Sequence, residues 1–282
     1  MMLGTIIKEA TPQAGEVFFW WLGQSGFVLK SDSLCIVLDP YLSTTLEDAT
    51  KNQSEKRHIR MMDIPLLPNE LTQIDYVVIS HGHRDHYDPA TIKSIVSVNP
   101  ACTILAPKVL SKRIETEQHC RVLGLNDGQH WEENGLVIEP IRAKHNNYDY
   151  EEMTGYPYLS YAIQFASQRL FFAGDTILHT PLEKFLSSYK ASLAFLPING
   201  YTPELIEKGF ASNLTYREAI ELAIQTNVGI TLPCHYDMFT INTEQIGRFI
   251  NEANQQGLGY IVPTIFDTFI LEKGGTIRWI SH

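Results

Sequence analysis

A chain of 282 residues, 44% hydrophobic and 19% charged, can bury a large core and has the balance of a globular protein. Its formal net charge of −10 weighs against a nucleic-acid partner, which needs a basic surface, but leaves room for a small anionic substrate in a local pocket. No apolar run approaches the roughly 18 residues of a membrane span, the start MMLGTIIKEA is too short and polar for a signal peptide, and Cys35, Cys102, Cys120 and Cys234 show no CxxC spacing. A cytoplasmic protein with reduced thiols and no membrane partner is expected.

In chain order, residues 17–22, 26–30 and 34–38 are apolar runs punctuated by Gly and Ser, and predict an antiparallel meander. Residues 41–70 are polar and irregular, a long loop of the kind that is functional or mobile. A strand over 76–80 leads into a His-rich loop. Asp88 and Pro89 then start a helix over 89–97, as N-cap and first-turn residue. A strand at 102–106, a helix at 108–118, and strands near 121–125, 136–141, 158–165 and 170–173 follow. A helix at 181–189 precedes a strand at 193–196. Thr215 and Glu218 form a capping box for a helix ending near 226, with Ala219, Leu222 and Ala223 on one face. A strand over 228–232 ends at Pro233-Cys234-His235, Asn242 with Gln245 starts a last helix, and 268–271 pairs with 276–280 across Gly274-Gly275. No linker or repeat interrupts the alternation. One α/β domain over 1–282 is expected, with two sheets face to face and helices outside.

The loop after the 76–80 strand reads His81-Gly82-His83-Arg84-Asp85-His86. It places four potential metal ligands within six residues of a strand end. Three of the ten histidines fall in this window, which makes a merely polar turn a poor explanation. Imidazole with carboxylate suits zinc or manganese, with iron also compatible, and disfavours calcium. More ligands are expected at other strand ends, where a shared sheet edge can gather them. His145, Asp175 and His235 each sit just past an apolar run. Alone, Asp175 reads equally as a turn aspartate, His145 as a loop residue and His235 as a buried hydrogen-bonded histidine; together with the loop they make a metal site. His58, His119, His130 and His282 have no such setting and read as surface residues. His179 is open between a pocket wall and an exposed helix start. Cys234 reads as packing.

The set His81-x-His83-x-Asp85-His86, His145, Gly174-Asp175-Thr176 and His235 resembles, in that order, the metallo-β-lactamase superfamily of hydrolases over roughly residues 17–270. The resemblance implies a four-layer αββα sandwich with a binuclear site at one edge of the sheets. His81, His83 and His145 would hold one divalent transition-metal ion and Asp85, His86 and His235 the other. Asp175 would bridge them, and Asp85 and Asp175 would serve catalysis. Trp20-Trp21-Leu22-Gly23-Gln24-Ser25-Gly26, the stretch from Thr215, and Pro233-Cys234-His235-Tyr236-Asp237 are similar to the L-ascorbate-6-phosphate lactonase group. The oxygen-reducing diiron branch typically carries Glu where this chain has His83, so hydrolysis is expected. The implied activity is attack of hydroxide on a small, phosphorylated lactone or ester. A phosphodiesterase or nuclease on the same fold is the alternative, and a non-catalytic metal-binding protein is the third reading. Arg84, Lys144, His179, Asn199 and Tyr201 are the candidate substrate contacts, with Arg84 and Lys144 able to meet a phosphate. The composition leaves a homo-oligomer open.

Overall fold

The computed structural model describes residues 2–282. The chain opens with α1 (Leu3–Glu9), then β1 (Val17–Gly23), β2 (Gly26–Lys30) and β3 (Cys35–Leu38). After α2 (Thr45–Thr50) and a 3₁₀ turn at Pro68–Glu70 come β4 (Tyr76–Val78), α3 (Pro89–Val98), β5 (Thr103–Pro107), α4 (Lys108–Gln118) and β6 (Arg121–Leu125). The middle of the chain supplies β7 (Trp131–Glu133), β8 (Leu136–Arg142), β9 (Leu159–Phe165), β10 (Gln168–Phe172), α5 (Thr180–Tyr189) and β11 (Leu193–Pro197). The last third holds α6 (Pro203–Glu207), α7 (Tyr216–Gln225), β12 (Ile230–Cys234), α8 (Ile246–Gln256), β13 (Thr268–Leu271) and β14 (Ile277–Ile280).

The strands form two sheets. The first runs β14-β13-β1-β2-β3-β4-β5-β6 and the second β12-β11-β10-β9-β8-β7. Alternation along the strands of the first sheet decides which core each side chain enters. Phe19, Trp21, Phe27, Leu29, Ile36, Leu38, Tyr76 and Val78 face the second sheet in the main core. Their neighbours Trp20, Leu22, Val28, Val37 and Val77 point the other way, onto Leu3, Ile6 and Ile7 of α1, Ile92 and Ile95 of α3, and Ile114 of α4. Because both faces are buried, these strands read as continuous apolar runs. Leu182 and Leu186 of α5, Ala219 and Leu222 of α7 and Phe249 of α8 join the main core from the second sheet's side. The architecture is the mixed α/β arrangement of a metallo-β-lactamase fold, helices on both outer faces of two packed sheets.

Several boundaries differ from the sequence expectations for physical reasons. The strand expected over 228–232 is shifted to Ile230–Cys234, because its register is set by parallel pairing with β11, Leu196 opposite Pro233 and Pro197 opposite Cys234. Pro233, which has no N–H to give, is tolerated because β12 is an edge strand. The last helix begins at Ile246 rather than near Asn242. Asn242 has φ +55°, in the left-handed region, whereas an N-cap needs extended backbone. The capping box of Thr215 and Glu218, the cap by Asp88 and the closing hairpin are all present. Helices α1, α2 and α6 and strand β7 were not expected from the sequence. No helix among the described residues is long and apolar enough to cross a membrane.

Candidate metal centre

In parallel stretches, strand carboxyl ends gather at one edge, where open α/β sheets place their ligands. β3 to β6 are parallel in the first sheet, and β10 to β12 in the second. Asp39 follows β3, and the run from His81 to His86 follows β4. His145 follows β8, Asp175 follows β10, and His235 follows β12. One edge therefore collects side chains from both sheets.

Asp175 stands at the centre. Its Oδ2 is 4.0 Å from His81 Nε2, 3.7 Å from His145 Nε2 and 3.4 Å from His235 Nε2, while Oδ1 is 3.2 Å from His86 Nε2. His81, His83, His145 and Asp175 have donor atoms mutually within 4.8 Å, as do Asp85, His86 and His235. All seven expected ligands are thus brought together, in the two groups expected, with one carboxylate between them. All are buried except His83, which is exposed, and Asp85, which is partly so.

Two side chains and one backbone carbonyl orient the rings. His86 Nδ1–H donates to Asp39 Oδ2 at 2.7 Å, and His145 Nδ1–H to the Ser212 carbonyl at 3.0 Å. The Ser80 hydroxyl donates to Asp39 and lies 2.9 Å from His81 Nδ1, which gives His81 an outward partner too. Three imidazoles are therefore held at Nδ1 with Nε2 turned to the centre, the arrangement by which outer carboxylates and carbonyls orient metal-binding histidines. Sequence reasoning missed Asp39, which reads as the polar end of a strand before Pro40. It is fully buried and serves both groups, His86 directly and His81 through Ser80.

Burial pushes His81 well below the usual imidazole range, with help from neighbouring His86 and His83, and pushes His145 down to about 4. Burial also opposes charge on His235, but Asp175 and Asp85 outweigh it and hold the ring up at about 9. Asp175 and Asp85 are pressed upward by burial, yet the surrounding imidazoles hold both carboxyls well below the usual range. Two anionic carboxylates among converging imidazole Nε2 atoms form a hard-to-borderline donor set suited to a divalent metal. A second observation agrees. His86 Nε2 and Asp175 Oδ1 are buried side by side with no hydrogen-bond partner, a costly state for two polar atoms unless a ligand takes them up. His81 Nε2 and His83 Nδ1, 3.0 Å apart, show the same convergence.

Strain accompanies the assembly. Asp39 (φ +34°), Gln24 (+51°) and His235 (+63°) are non-glycine residues in left-handed backbone, each at a strand end around the centre. Gln24 ties the rim together: its carbonyl accepts from Trp21 Nε1 and His235 N, and its amide donates to Asp85 Oδ2 at 2.8 Å. Gly174 (φ +57°) has no room for a side chain, since a Cβ would sit 2.6 Å from Ser80 Cβ.

A cavity of about 290 Å³ opens above the centre, lined by Leu46, His58, His83, Arg84, Asp85, His145, Asp175, Phe210 and Asn242 among others. Of the five candidate substrate residues only Arg84 lines it. Asn199 lies behind the wall, its amide donating to Asn242 Oδ1 at 2.9 Å. Lys144 holds its ammonium over the Tyr148 ring at 5.8 Å, so Arg84 and Lys144 are not assembled into a phosphate site. Tyr201 is exposed. His179 is neither pocket wall nor exposed helix start: it is buried at the start of α5 beside the Tyr148 hydroxyl, and burial with Lys144 and Arg142 nearby lowers it to about 4. Cys234 is buried and unpaired, as its packing role requires. His58, expected at the surface, instead lines the cavity, because residues 59–61 bond back to 238–240 and pull the loop over the site.

Known proteins are similar to this chain in sequence and fold. A UPF0173 metal-dependent hydrolase of Methanocaldococcus jannaschii is 28% identical over 214 residues, 71% of this chain and 89% of that protein. Among solved structures, a possible metal-dependent hydrolase from Veillonella parvula superposes with a TM-score of 0.72 at 17% identity, covering 92% of this chain and 99% of the other. An isothiocyanate hydrolase from Delia radicum gut bacteria does so with 0.70 at 15% identity, covering 89% and 97%. The family pattern described as the β-lactamase superfamily domain matches residues 36–236, and with the fold and the two-sheet edge site already in place, the chain belongs to that family.

Proposed function

We propose that the protein is a metal-dependent hydrolase of a small carboxylic ester or lactone. The observation that carries this reading is the Asp175 carboxylate standing between two groups of donors, with four imidazole Nε2 atoms within 4.0 Å of its oxygens, at the floor of a cavity. On this reading His81, His83 and His145 hold one divalent ion, Asp85, His86 and His235 hold a second, and Asp175 is shared. When bound, such ions lower the pKa of water toward neutrality and polarise a carbonyl. The protein's own part is to orient and enclose. Asp39 and the Ser212 carbonyl lock the imidazole rings, Gln24 holds Asp85, and Leu46 and Phe210 give the cavity apolar walls. The relatives named as metal-dependent hydrolases support the activity class.

The cavity's size suits a small molecule, and its mixture of apolar wall and acidic floor suits an acyl group meeting water. Among the described residues lining the cavity, Arg84 at the rim is the one Lys or Arg side chain that could meet an anionic substituent, and a lactone of the ascorbate-phosphate kind is the substrate to test first. Purified protein reconstituted with Zn²⁺ or Mn²⁺ is expected to carry up to two ions per chain by elemental analysis and to hydrolyse members of a panel of sugar lactones, simple esters and phosphodiesters. His235→Ala should lower that hydrolysis by more than about 100-fold while circular dichroism stays unchanged. A reconstituted protein without bound metal, or full activity in the variant, defeats the assignment.

A further inference from the structure

We propose that His58 is the proton shuttle of this site, taking the proton of the attacking water on Nε2 and passing it to the leaving alkoxide. The inference rests on the hydrolase reading and assigns a step that none of the seven donor residues supplies.

The geometry comes from three anchors. His58 N donates to Thr50 Oγ1 at the end of α2, at 3.0 Å. Its Nδ1 lies 2.8 Å from the Lys56 carbonyl. A carbonyl only accepts, so Nδ1 carries the hydrogen and Nε2 keeps the lone pair. The ring is wedged between two aromatic residues, edge-on to Phe239 with centroids 5.1 Å apart and tilted against Phe210 at 5.6 Å. The segment itself is pinned, with Thr240 N donating to the Ile59 carbonyl and Met61 N to the Met238 carbonyl. A histidine at a merely solvated loop position would have none of this. His58 lines the same cavity as Asp85, His83, Arg84 and Asp175, yet forms no ion pair with any of them among the described residues. It faces the site without being one of its ligands.

The charged and titratable groups around it are Asp85, His83 and Arg84 from the loop after β4, His145 after β8, Asp175 after β10, His235 from the end of β12, and Lys56 on its own segment. Burial lowers its pKa, Asp85 and the Lys56 carbonyl oppose that, and His235 adds to it. The resting ring is therefore neutral at neutral pH, which is what a base requires.

The step balances. Water oxygen bonds to the acyl carbon and its proton passes to His58 Nε2. The imidazolium is steadied by the Lys56 carbonyl on Nδ1–H and by the Asp85 carboxylate across the cavity. The acyl carbon–oxygen bond then breaks, its electron pair leaves on the alkoxide, and the proton moves from Nε2 to that oxygen. Ester and water have become acid and alcohol, and the imidazole is restored.

The test compares two esters of one acyl group, one leaving as nitrophenolate, which needs no proton, and one as a simple alkoxide, which does. In His58→Gln and His58→Ala, kcat/KM should fall for both esters, since both need the water's proton removed, and should fall further for the alkyl ester, about 10²- to 10⁴-fold, because it also needs a proton on its leaving oxygen. Metal content and Tm should match the unaltered protein, and added imidazole should restore alkyl-ester hydrolysis in His58→Ala. An equal loss on both esters, or none on either, overturns the shuttle and leaves the hydrolase reading standing. Failure of the unaltered, metal-loaded protein on every ester overturns the hydrolase reading, and the shuttle falls with it. Nitrogen NMR of the metal-free chain supplies a readout independent of activity: hydrogen on Nδ1 supports the proposal, and hydrogen on Nε2 removes the base.

Discussion

At the scale of single residues, Asp39 does two jobs with one buried carboxylate, receiving His86 Nδ1–H directly and His81 through Ser80. Asp39→Asn keeps the volume but lets the amide turn its N–H₂ toward an imidazole that also donates. Metal affinity measured by chelator competition is expected to fall about 10- to 100-fold, with both ions affected, and an affinity within a factor of two of the unaltered protein would rule this out. The titration of the centre predicts how the metal-free chain responds to pH. His235 has its folded value raised to about 9, above the unfolded value of about 6.5, so its stabilisation is complete below the latter and is lost as pH rises through the former. His145, lowered to about 4, is buried neutral, and its contribution is lost as pH falls below about 6.5. Chelated protein should therefore show its highest Tm near neutrality and decline on both sides; a Tm that climbs steadily toward about pH 10 would contradict the His235 assignment. The candidate ligands are legible in the sequence because each is a His or Asp within a few residues of the end of an apolar run. Asp39 and His58 are not. The first acts across strands on residues more than forty positions away, and the second owes its place to pairing with 238–240.

Elements carry the site by where they stop. α3 starts directly after the ligand loop, and Asp88 caps it by accepting from Thr91 N at 3.0 Å while also receiving Thr45 Oγ1 at 2.8 Å. Asp88→Ala removes both, and a stability loss of about 1–2 kcal/mol by urea unfolding is expected. The turn after β10 is stricter. Gly174→Ala forces a Cβ against Ser80 and asks an L-residue to hold left-handed backbone, so both Ser80, the link between His81 and Asp39, and Asp175 must shift. A loss of bound metal larger than the loss of Tm would mark that pathway; unchanged metal content would exclude it. The strands and capped helices were readable because their signals are local: alternation, a capping box, Asp-Pro, Gly-Gly. The ends of β12 and α8 were not, since pairing with β11 sets one and the left-handed Asn242 the other. Helix α1 had a readable stripe in Leu3, Ile6 and Ile7, all buried, but its seven residues fall short of the length at which periodicity is persuasive.

Over the whole molecule, the centre lies on the seam between the two sheets. The first contributes Asp39 and the loop from His81 to His86, the second His145, Asp175 and His235. Protein contacts already cross there, with Tyr161 hydroxyl donating to the Ile79 carbonyl at 2.8 Å and Leu159 N to the Ser80 carbonyl at 3.1 Å. Bound ions would add ligand bonds that span the same gap, so removing them should lower Tm and speed unfolding, with the strand ends at the seam gaining hydrogen exchange before the rest of the core. Uniform exchange across the core would show that the seam opens only with global unfolding. If exchange does start there, a chain without bound ions would be loosest at its most essential point. Proteases that sample open forms would clear such chains first, so the lifetime of this protein becomes a measure of the metal supply around it.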